Sequence, residues 1–338
     1  MSTIELDVPV ETGIDIAAFS ERGPRGQNED AYSIDQFAST GKIIVADGMG
    51  GARSGRLAAQ TALEAILGTG PVASLDNVRQ ALVAADRAVA QYANVDPARY
   101  DGMGCAATLL TLSADRTLWL GGNIGDVRVL SRSTDGTVRL ETRDHTVAFE
   151  EWEAGRIELD SVPSATGSNR LRRSLGHGGT PDVFWIPVGP GWSYAVITDG
   201  VSKAMRLDEI GSALGAGSAS EACRRIREKI ELRGADDNYT GVCIVVPPRG
   251  QTLVEHTAGN QSSRAARRSR RWLRMSAVPV LLALLALVGW NEFAFRRDAT
   301  ARLVELTTAI DSIRALLADK ETESTVDSTA ATERVNER

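Results

Sequence analysis

Short apolar runs that end in polar turns recur between residues 14 and 246, and their spacing predicts a mixed α/β domain. Two of these runs, 43–46 and 194–198, lead directly into an Asp-Gly pair. Runs of this length that are rich in β-branched residues are typical of buried strands. We therefore predict strands at 14–19, 43–46, 108–112, 118–120, 127–130, 194–198 and 242–246.

Helical periodicity occupies the stretches between these strands. Apolar residues at spacings of three and four predict helices at 56–67, 77–92, 147–154 and 220–232, with Ser220 as N-cap and Gly234 as stop signal. The central strands are joined by short polar turns at 114–116 and 134–136, which favours antiparallel meanders over repeated βαβ units. The polar segment 161–175 is interpreted as a mobile loop after a short helix. The pattern predicts an α+β domain over residues 1–248.

A long apolar segment follows this domain. Residues 275–290 carry no charge, and aromatic flanks extend the segment to 272–295. A bilayer span needs about 20 residues, and a helix that is apolar all round is either a core helix or a membrane span. Because this segment lies beyond the end of the domain motifs, we predict one C-terminal transmembrane helix. Positive charge stays on the cytoplasmic side, which predicts a cytoplasmic domain and an outer C-terminus. The charges concerned are Arg264, Arg267, Arg268, Arg270, Arg271 and Arg274.

The regions on either side of the span have different characters. Residues 249–271 form a basic juxtamembrane linker, whose arginines we expect to meet anionic membrane lipids. In the outer region 296–338, apolar residues over 303–317 repeat at spacings of three and four. This predicts either a short coiled coil that forms a homodimer, or an amphipathic helix on the membrane or another protein. The tail from residue 320 is polar and predicted to be disordered.

Charge and composition exclude several classes of function. The net charge is −6 and the pI about 5.3, so we expect no nucleic acid partner. The three cysteines lack the spacing of a metal site, and three histidines are too few for a histidine-rich zinc centre.

Acidic residues beside glycine or asparagine carry the candidate chemistry. A strand that ends in Asp-Gly projects its carboxylate at the sheet edge, and the glycine allows a close approach. One such pair is usually an ordinary turn, but several brought together make an all-oxygen pocket for Mg²⁺ or Mn²⁺. The series reads Asn28-Glu29-Asp30, Asp47-Gly48, Gly125-Asp126, Asp199-Gly200 and Asp236-Asp237-Asn238.

The order of these motifs resembles the bacterial branch of the PPM (protein phosphatase type 2C) family of Ser/Thr phosphatases, over about residues 13 to 246. The resemblance implies a four-layer α-β-β-α sandwich, in which helices flank two antiparallel sheets. It also implies two Mn²⁺ or Mg²⁺ ions, with Arg25 binding the phosphate. The resemblance implies that Asp47 bridges the ions and that the Gly48 carbonyl joins one coordination shell. Asp199 and Asp237 would complete the first metal, and Glu29 and Asp30 would hold the second, largely through waters.

Two positions depart from the family pattern. Met49 stands where eukaryotic members have a histidine, so a side-chain acid for the leaving group is not evident. Lys203 stands where the family has an aspartate that helps Asp126 bind a third metal. Because an ammonium does not ligate a cation, we expect this third site to be weakened, or its charge partly replaced by Lys203. The alternative is that Lys203 turns to solvent.

The resemblance implies hydrolysis of phosphoserine and phosphothreonine on cytoplasmic proteins, by a metal-activated water and in opposition to a Ser/Thr kinase. The expected location is the bacterial cytoplasmic membrane. The alternative function is a membrane-anchored signalling adaptor with a weakened phosphatase domain, for which Lys203 is the only support. His145 is expected to be structural, and Arg170, Arg172 and Arg173 to be either phosphopeptide contacts or a solvated face.

Overall fold

Two antiparallel sheets of five strands each form the centre of the protein, in a computed structural model that describes residues 13–50 and 54–248. The strands are β1 (Asp15–Glu21), β2 (Asp30–Ser33), β3 (Lys42–Met49), β4 (Gly104–Leu112), β5 (Leu118–Ile124), β6 (Arg128–Arg132), β7 (Val138–Leu140), β8 (Asp182–Pro187), β9 (Ser193–Ile197) and β10 (Tyr239–Val245). Sheet A has the strand order β1-β10-β9-β6-β7, and sheet B has the order β2-β3-β4-β5-β8.

Helices pack around the two sheets. They are α1 (Phe37–Thr40), α2 (Ser54–Leu67), α3 (Leu75–Ala93), α4 (Val147–Glu153), α5 (Asp199–Ala204), α6 (Leu207–Leu214) and α7 (Ala219–Arg233), with a 3-10 helix at Leu159–Ser164. The long helices α2 and α3 pack on sheet B, whereas α5, α6 and α7 pack on sheet A. This arrangement confirms the predicted antiparallel sheets flanked by helices.

Alternation along the strands explains why each sheet is apolar on both faces. In β1, Ile16 and Ala18 point between the sheets, while Ala17 and Phe19 point outward against the helices of sheet A. Val45 of β3 faces the other sheet in the same way. Because successive side chains point to opposite faces and both faces are covered, these strands read as continuous apolar runs.

All seven predicted strands are present, but β2, β7 and β8 were missed. The four-residue β2 begins with the buried acid Asp30 and shows no apolar run. Strand β8 does carry an apolar run at 183–186, which the prediction left unassigned. The predicted N-cap Ser220 is wrong. Ser218 caps α7, because its side chain accepts a hydrogen bond from the backbone N–H of Glu221, while Gly234 ends the helix as predicted. The predicted loop 161–175 begins inside the 3-10 helix.

The described residues contain no helix that is both long and apolar enough to cross a bilayer. The predicted span at 272–295, the basic linker 249–271 and the outer region 296–338 lie outside the described residues, and these assignments stay predictions.

Candidate active site

The first half of the site comes from the neighbouring strands β2 and β3. Their antiparallel register places Asp30 directly opposite Asp47. Like charges at opposed positions destabilise a strand pair unless a cation lies between them. The following residue, Gly48, has no room for a side chain, since a Cβ there would meet the carbonyl oxygen of Gly55 at 2.0 Å. The end of β3 therefore presents a carboxylate and a closely packed backbone.

Sheet A supplies the second half at the same end of the sandwich. Asp199 begins α5 directly after β9, and Asp237 shortly precedes β10, which pairs with β9. A Cβ on Gly200 would meet the carbonyl oxygen of Asn238 at 2.0 Å, so only glycine permits this approach. Thr198 links the two sheets, because its hydroxyl donates to Asp30 Oδ2 at 3.0 Å.

Asp126 reaches the cleft from the turn after β5. Gly125 has a φ of 102°, and a Cβ there would lie 2.3 Å from that of Ala106. The backbone N–H of Gly125 donates to Nδ1 of the buried His145 at 3.0 Å, so the ring proton is on Nε2, which faces Asp182 at 3.1 Å. Burial lowers the pKa of His145. The histidine has the structural role predicted for it, which is to hold the turn that carries Asp126.

A buried ion pair between Arg128 and Asp144 lies next to the turn that carries Asp126. The Arg128 guanidinium donates to both oxygens of Asp144 at 2.7 to 3.1 Å, and the two side chains are only 3% and 4% exposed. Burial raises the pKa of Asp144 and outweighs the opposite effect of Arg128. Desolvation therefore dominates this pair, as expected for an ion pair enclosed by protein.

These elements enclose a cleft of ≈450 Å³. The structure brings the predicted residues together there, except that Asp30 lies beneath the cleft surface. The cleft-lining members are Arg25, Glu29, Asp47, Gly48, Asp126, Asp199 and Asp237. Asp30 is 9% exposed, and among the described residues its Oδ1 has no hydrogen-bond partner. Because a buried acidic oxygen without a partner is costly, this oxygen indicates a cation site.

The carboxyl groups raise one another's pKa values. Burial, reinforced by Asp199 and Asp237, raises the pKa of Asp30 to about 7. Burial and the neighbouring Asp30 raise the pKa of Asp47 well above its usual range, and burial with Asp199 does the same for the pKa of Asp126. A cluster in which each acid opposes the ionisation of the next one is suited to bind cations.

Two protein cations already contact the cluster. Lys203 Nζ lies 2.6 Å from Asp199 Oδ2 and 3.3 Å from Asp237 Oδ2, and the Arg25 guanidinium lies 2.9 Å from the same Asp237 oxygen. Burial disfavours the Lys203 ammonium, but Asp199 and Asp237 outweigh it and raise the lysine pKa. In this structure Lys203 therefore faces the acids and not solvent, with its side chain 15% exposed.

Of the three loop arginines, two are engaged within the protein. Arg172 forms an ion pair with Glu150 at 3.0 Å, and Arg173 with Asp182 at 2.8 Å. Arg173 thereby supports the carboxylate that faces His145, so these two residues are explained by local structure. Arg170 is exposed.

Sequence reasoning missed the residues that orient the acids. Asn238 accepts a hydrogen bond from the Glu29 backbone N–H at 2.9 Å and donates to the carbonyl oxygens of Arg22 and Gln27. Asn28 accepts from the Asp30 backbone N–H at 3.1 Å. The available signal was that each asparagine adjoins an acid, because Asn side chains commonly bond the nearby backbone.

The donor set fits small divalent cations. Within residues 13–50 and 54–248, no three Asp, Glu, His or Cys side chains form a group that by itself holds a metal ion. Mg²⁺, however, usually keeps several waters and takes only one or two carboxylates. Oxygen donors of this kind, with the orphaned Asp30 oxygen, suit Mg²⁺ or Mn²⁺ and not Zn²⁺.

Comparison with known proteins decides the family. The family model described as protein phosphatase 2C matches residues 23–228, which is more than half of the chain. This chain belongs to the protein phosphatase 2C family. The matched range contains the cleft residues from Arg25 to Lys203 and ends before Asp237.

Relatives of this phosphatase 2C chain are bacterial. The serine/threonine protein phosphatase PstP of Mycobacterium tuberculosis is 30% identical over 236 residues, which are 67% of this chain. The match spans 44% of PstP, less than half of that protein's length. A putative protein phosphatase 2C-type of Streptococcus pyogenes is 28% identical over 226 residues, covering 64% of this chain and 90% of that protein.

Solved structures agree with the fold. A crystal structure of M. tuberculosis PstP has a TM-score of 0.63 and 27% identity, covering 69% of this chain and 99% of that chain. The PPM Ser-Thr phosphatase MsPP of Mycobacterium smegmatis, in complex with cacodylate, has a TM-score of 0.61 and 30% identity over 68% of this chain and 97% of its own. A PstP catalytic domain with a TM-score of 0.61 and 26% identity, covering 69% and 97%, is in complex with two manganese ions.

Proposed function

We propose that this chain is a metal-dependent phosphatase that hydrolyses phosphoserine and phosphothreonine on proteins. The observation that carries the proposal is the convergence of acids from both sheets on one cleft, with the orphaned Asp30 oxygen beneath it and Arg25 at its edge. Membership of the protein phosphatase 2C family and the manganese ions of the PstP catalytic domain support it.

The ligands that the family resemblance implies come from both halves of the cleft. Asp199 and Asp237, from sheet A, would hold a first Mn²⁺ or Mg²⁺ ion, and Glu29 with Asp30 a second one largely through waters. Asp47, at the end of β3, would bridge the two ions, and the Gly48 carbonyl would join the coordination shell of one of them. Bound divalent cations would supply a lowered water pKa and charge stabilisation for attack on phosphorus.

The remaining groups would bind the substrate. Arg25 is 57% exposed at the cleft edge, and a guanidinium fork matches two oxygens of a phosphoryl group. Its contact with Asp237 aims the side chain into the cleft, with Nε also donating to the Asp236 carbonyl at 3.4 Å. Asn238 holds the loop that carries Arg25 and Glu29, so it would position both.

Phosphate release tests this proposal. With a phosphothreonine peptide, we expect turnover that depends on added Mn²⁺ and is abolished by EDTA. Asp199→Asn should lower turnover by at least about 100-fold, since it removes a negative charge from the pair of acids assigned to the first ion. Arg143→Met, which changes an exposed arginine outside the cleft, is the control. Absence of metal-dependent release by the unchanged chain would refute the proposal.

A signalling adaptor is the second candidate, and one observation favours it. The Lys203 ammonium contacts Asp199 and Asp237, the pair assigned to the first metal. If this ion pair persists at saturating Mn²⁺, the chain would bind phosphoproteins without hydrolysing them. Binding of a phosphothreonine peptide with no release of phosphate would favour the adaptor.

Location and partners complete the proposal. The predicted span at 272–295 and the arginines before it support a single-pass protein of the bacterial cytoplasmic membrane, with its phosphatase domain in the cytoplasm and an anionic-lipid contact at 249–271. Its counterpart would be a Ser/Thr kinase, and residues 303–317 would mediate homodimerisation. Protease protection of the 296–338 segment in spheroplasts would contradict this orientation.

A further inference from the structure

The position of Lys203 on its helix determines what its side chain reaches. Lys203 follows Asp199 by four residues in α5, which places both side chains on one face of the helix. Its ammonium lies 2.6 Å from Asp199 Oδ2, and the side chain is only 15% exposed. An aspartate at this position would add a ligand to the cluster, whereas the longer lysine brings a positive charge into it.

The ammonium and the first metal ion share the same two carboxylates. Lys203 contacts Oδ2 of both Asp199 and Asp237, the two acids assigned to that ion. A Mg²⁺ ion at about 2.1 Å from Asp199 Oδ2 would lie within roughly 5 Å of the ammonium. At that separation two positive charges repel, and both draw on the negative charge of the same two carboxylates. The ion pair and the metal therefore compete.

The backbone of α5 is fixed, so the side chain has to yield. The Ser202 hydroxyl donates to the Asp199 carbonyl at 3.2 Å, and Gly200 packs against the Asn238 carbonyl with no spare room. The lysine stem, in contrast, has several rotatable bonds and ends at the cleft. An incoming ion would thus displace the ammonium without moving the helix.

We propose that Lys203 is an internal competitor for the first metal position, so that a divalent ion binds there only by displacing its ammonium. The inference rests on the proposed metal-dependent function. Two consequences follow. Without metal, the Lys203 ammonium balances part of the negative charge of Asp199 and Asp237. With metal, the first ion binds less tightly, and exchanges more easily, than it would if Lys203 were absent.

Mn²⁺ binding to the full-length chain tests the competition. Free Mn²⁺ is measured by electron paramagnetic resonance during titration of the unchanged chain, Lys203→Met and the control Lys229→Met, whose lysine pairs with Glu209 outside the cleft. In Lys203→Met, one Mn²⁺ should bind at least about tenfold more strongly than in the unchanged chain, equal to about 1.4 kcal/mol. Lys229→Met should bind like the unchanged chain. Unaltered or weaker binding by Lys203→Met overturns the proposal.

A second measurement needs no variant. Reductive methylation followed by mass spectrometry reports how accessible each lysine amine is. Lys203 should be protected without metal and become several-fold more reactive with saturating Mn²⁺, relative to Lys229. Protection of Lys203 that persists while Mn²⁺ binds would contradict displacement.

The two proposals fail in different ways. If the unchanged chain releases phosphate with Mn²⁺ but Lys203→Met binds the ion no more tightly, only the competition is wrong. If no variant binds Mn²⁺ at all, the proposed function falls as well.

Discussion

Replacing Arg128 with Met tests how the protein holds the Asp126 turn. Arg128 and Asp144 are 3% and 4% exposed and share three hydrogen bonds of 2.7 to 3.1 Å. Arg128→Met leaves the Asp144 carboxyl buried with no cation. Removing one partner of a buried ion pair typically costs about 3–5 kcal/mol, and we expect a loss in this range.

An exposed pair in the same region gives the contrast. Arg143 and Glu153 also form a two-pronged ion pair, but they are 38% and 37% exposed. Solvent screens such a pair, so Arg143→Met should cost only about 0.2–1 kcal/mol. The double variant Arg128→Met with Asp144→Leu should recover most of the loss, because it removes both charges and fills a similar volume.

Urea unfolding at pH 7, followed by tryptophan fluorescence, measures these differences. The loss in Arg128→Met should also shrink as pH falls, since the unpaired Asp144 has a raised pKa in the folded state and takes up a proton. The reasoning is refuted if Arg128→Met costs no more than Arg143→Met. It is equally refuted if the double variant is as unstable as the single one.

Two further perturbations address the cluster itself. Asp30 has a folded pKa of about 7, above its unfolded value, so it stabilises the metal-free protein at low pH and this contribution is lost as pH rises through 7. The Tm in EDTA should therefore fall from about pH 4 to pH 7 and level off above, because the folded state holds the extra proton only between the two pKa values. Mn²⁺ or Asp30→Asn should weaken the fall, and a rising Tm would contradict it. Gly200→Ala places a Cβ 2.0 Å from the Asn238 carbonyl oxygen and should lower the free energy of unfolding by about 1–3 kcal/mol in the same urea assay. The control Gly70→Ala has open space around it and should leave that free energy unchanged.

The central strands were predictable from the sequence because both faces of each sheet are covered, which makes their apolar runs legible. The prediction failed at β2, whose buried Asp30 is polar because it belongs to the site and not to the core. A buried polar residue that serves a site thus hides a strand from the local pattern.

The acidic cluster was predictable as a set, since each member adjoins a glycine or asparagine. The contacts of the Lys203 side chain were not predictable from the sequence. The spacing of four residues places Lys203 on the same helix face as Asp199. Its contact with Asp237, however, depends on the pairing of β9 with β10, two strands that are distant in sequence. The same holds for Thr198, whose hydrogen bond to Asp30 joins the two sheets. Contacts of this kind exist only in the folded chain.

The central claim is that the acids of the two sheets form one two-cation centre around Asp47. Anomalous X-ray diffraction at the manganese edge, on crystals of the protein grown with Mn²⁺, tests it most directly. The account predicts two peaks about 3.5–4 Å apart, with Asp47 between them, Asp199 and Asp237 on one side and Glu29 with Asp30 on the other. Fully occupied manganese elsewhere in the protein, with no peak beside Asp47, would contradict it.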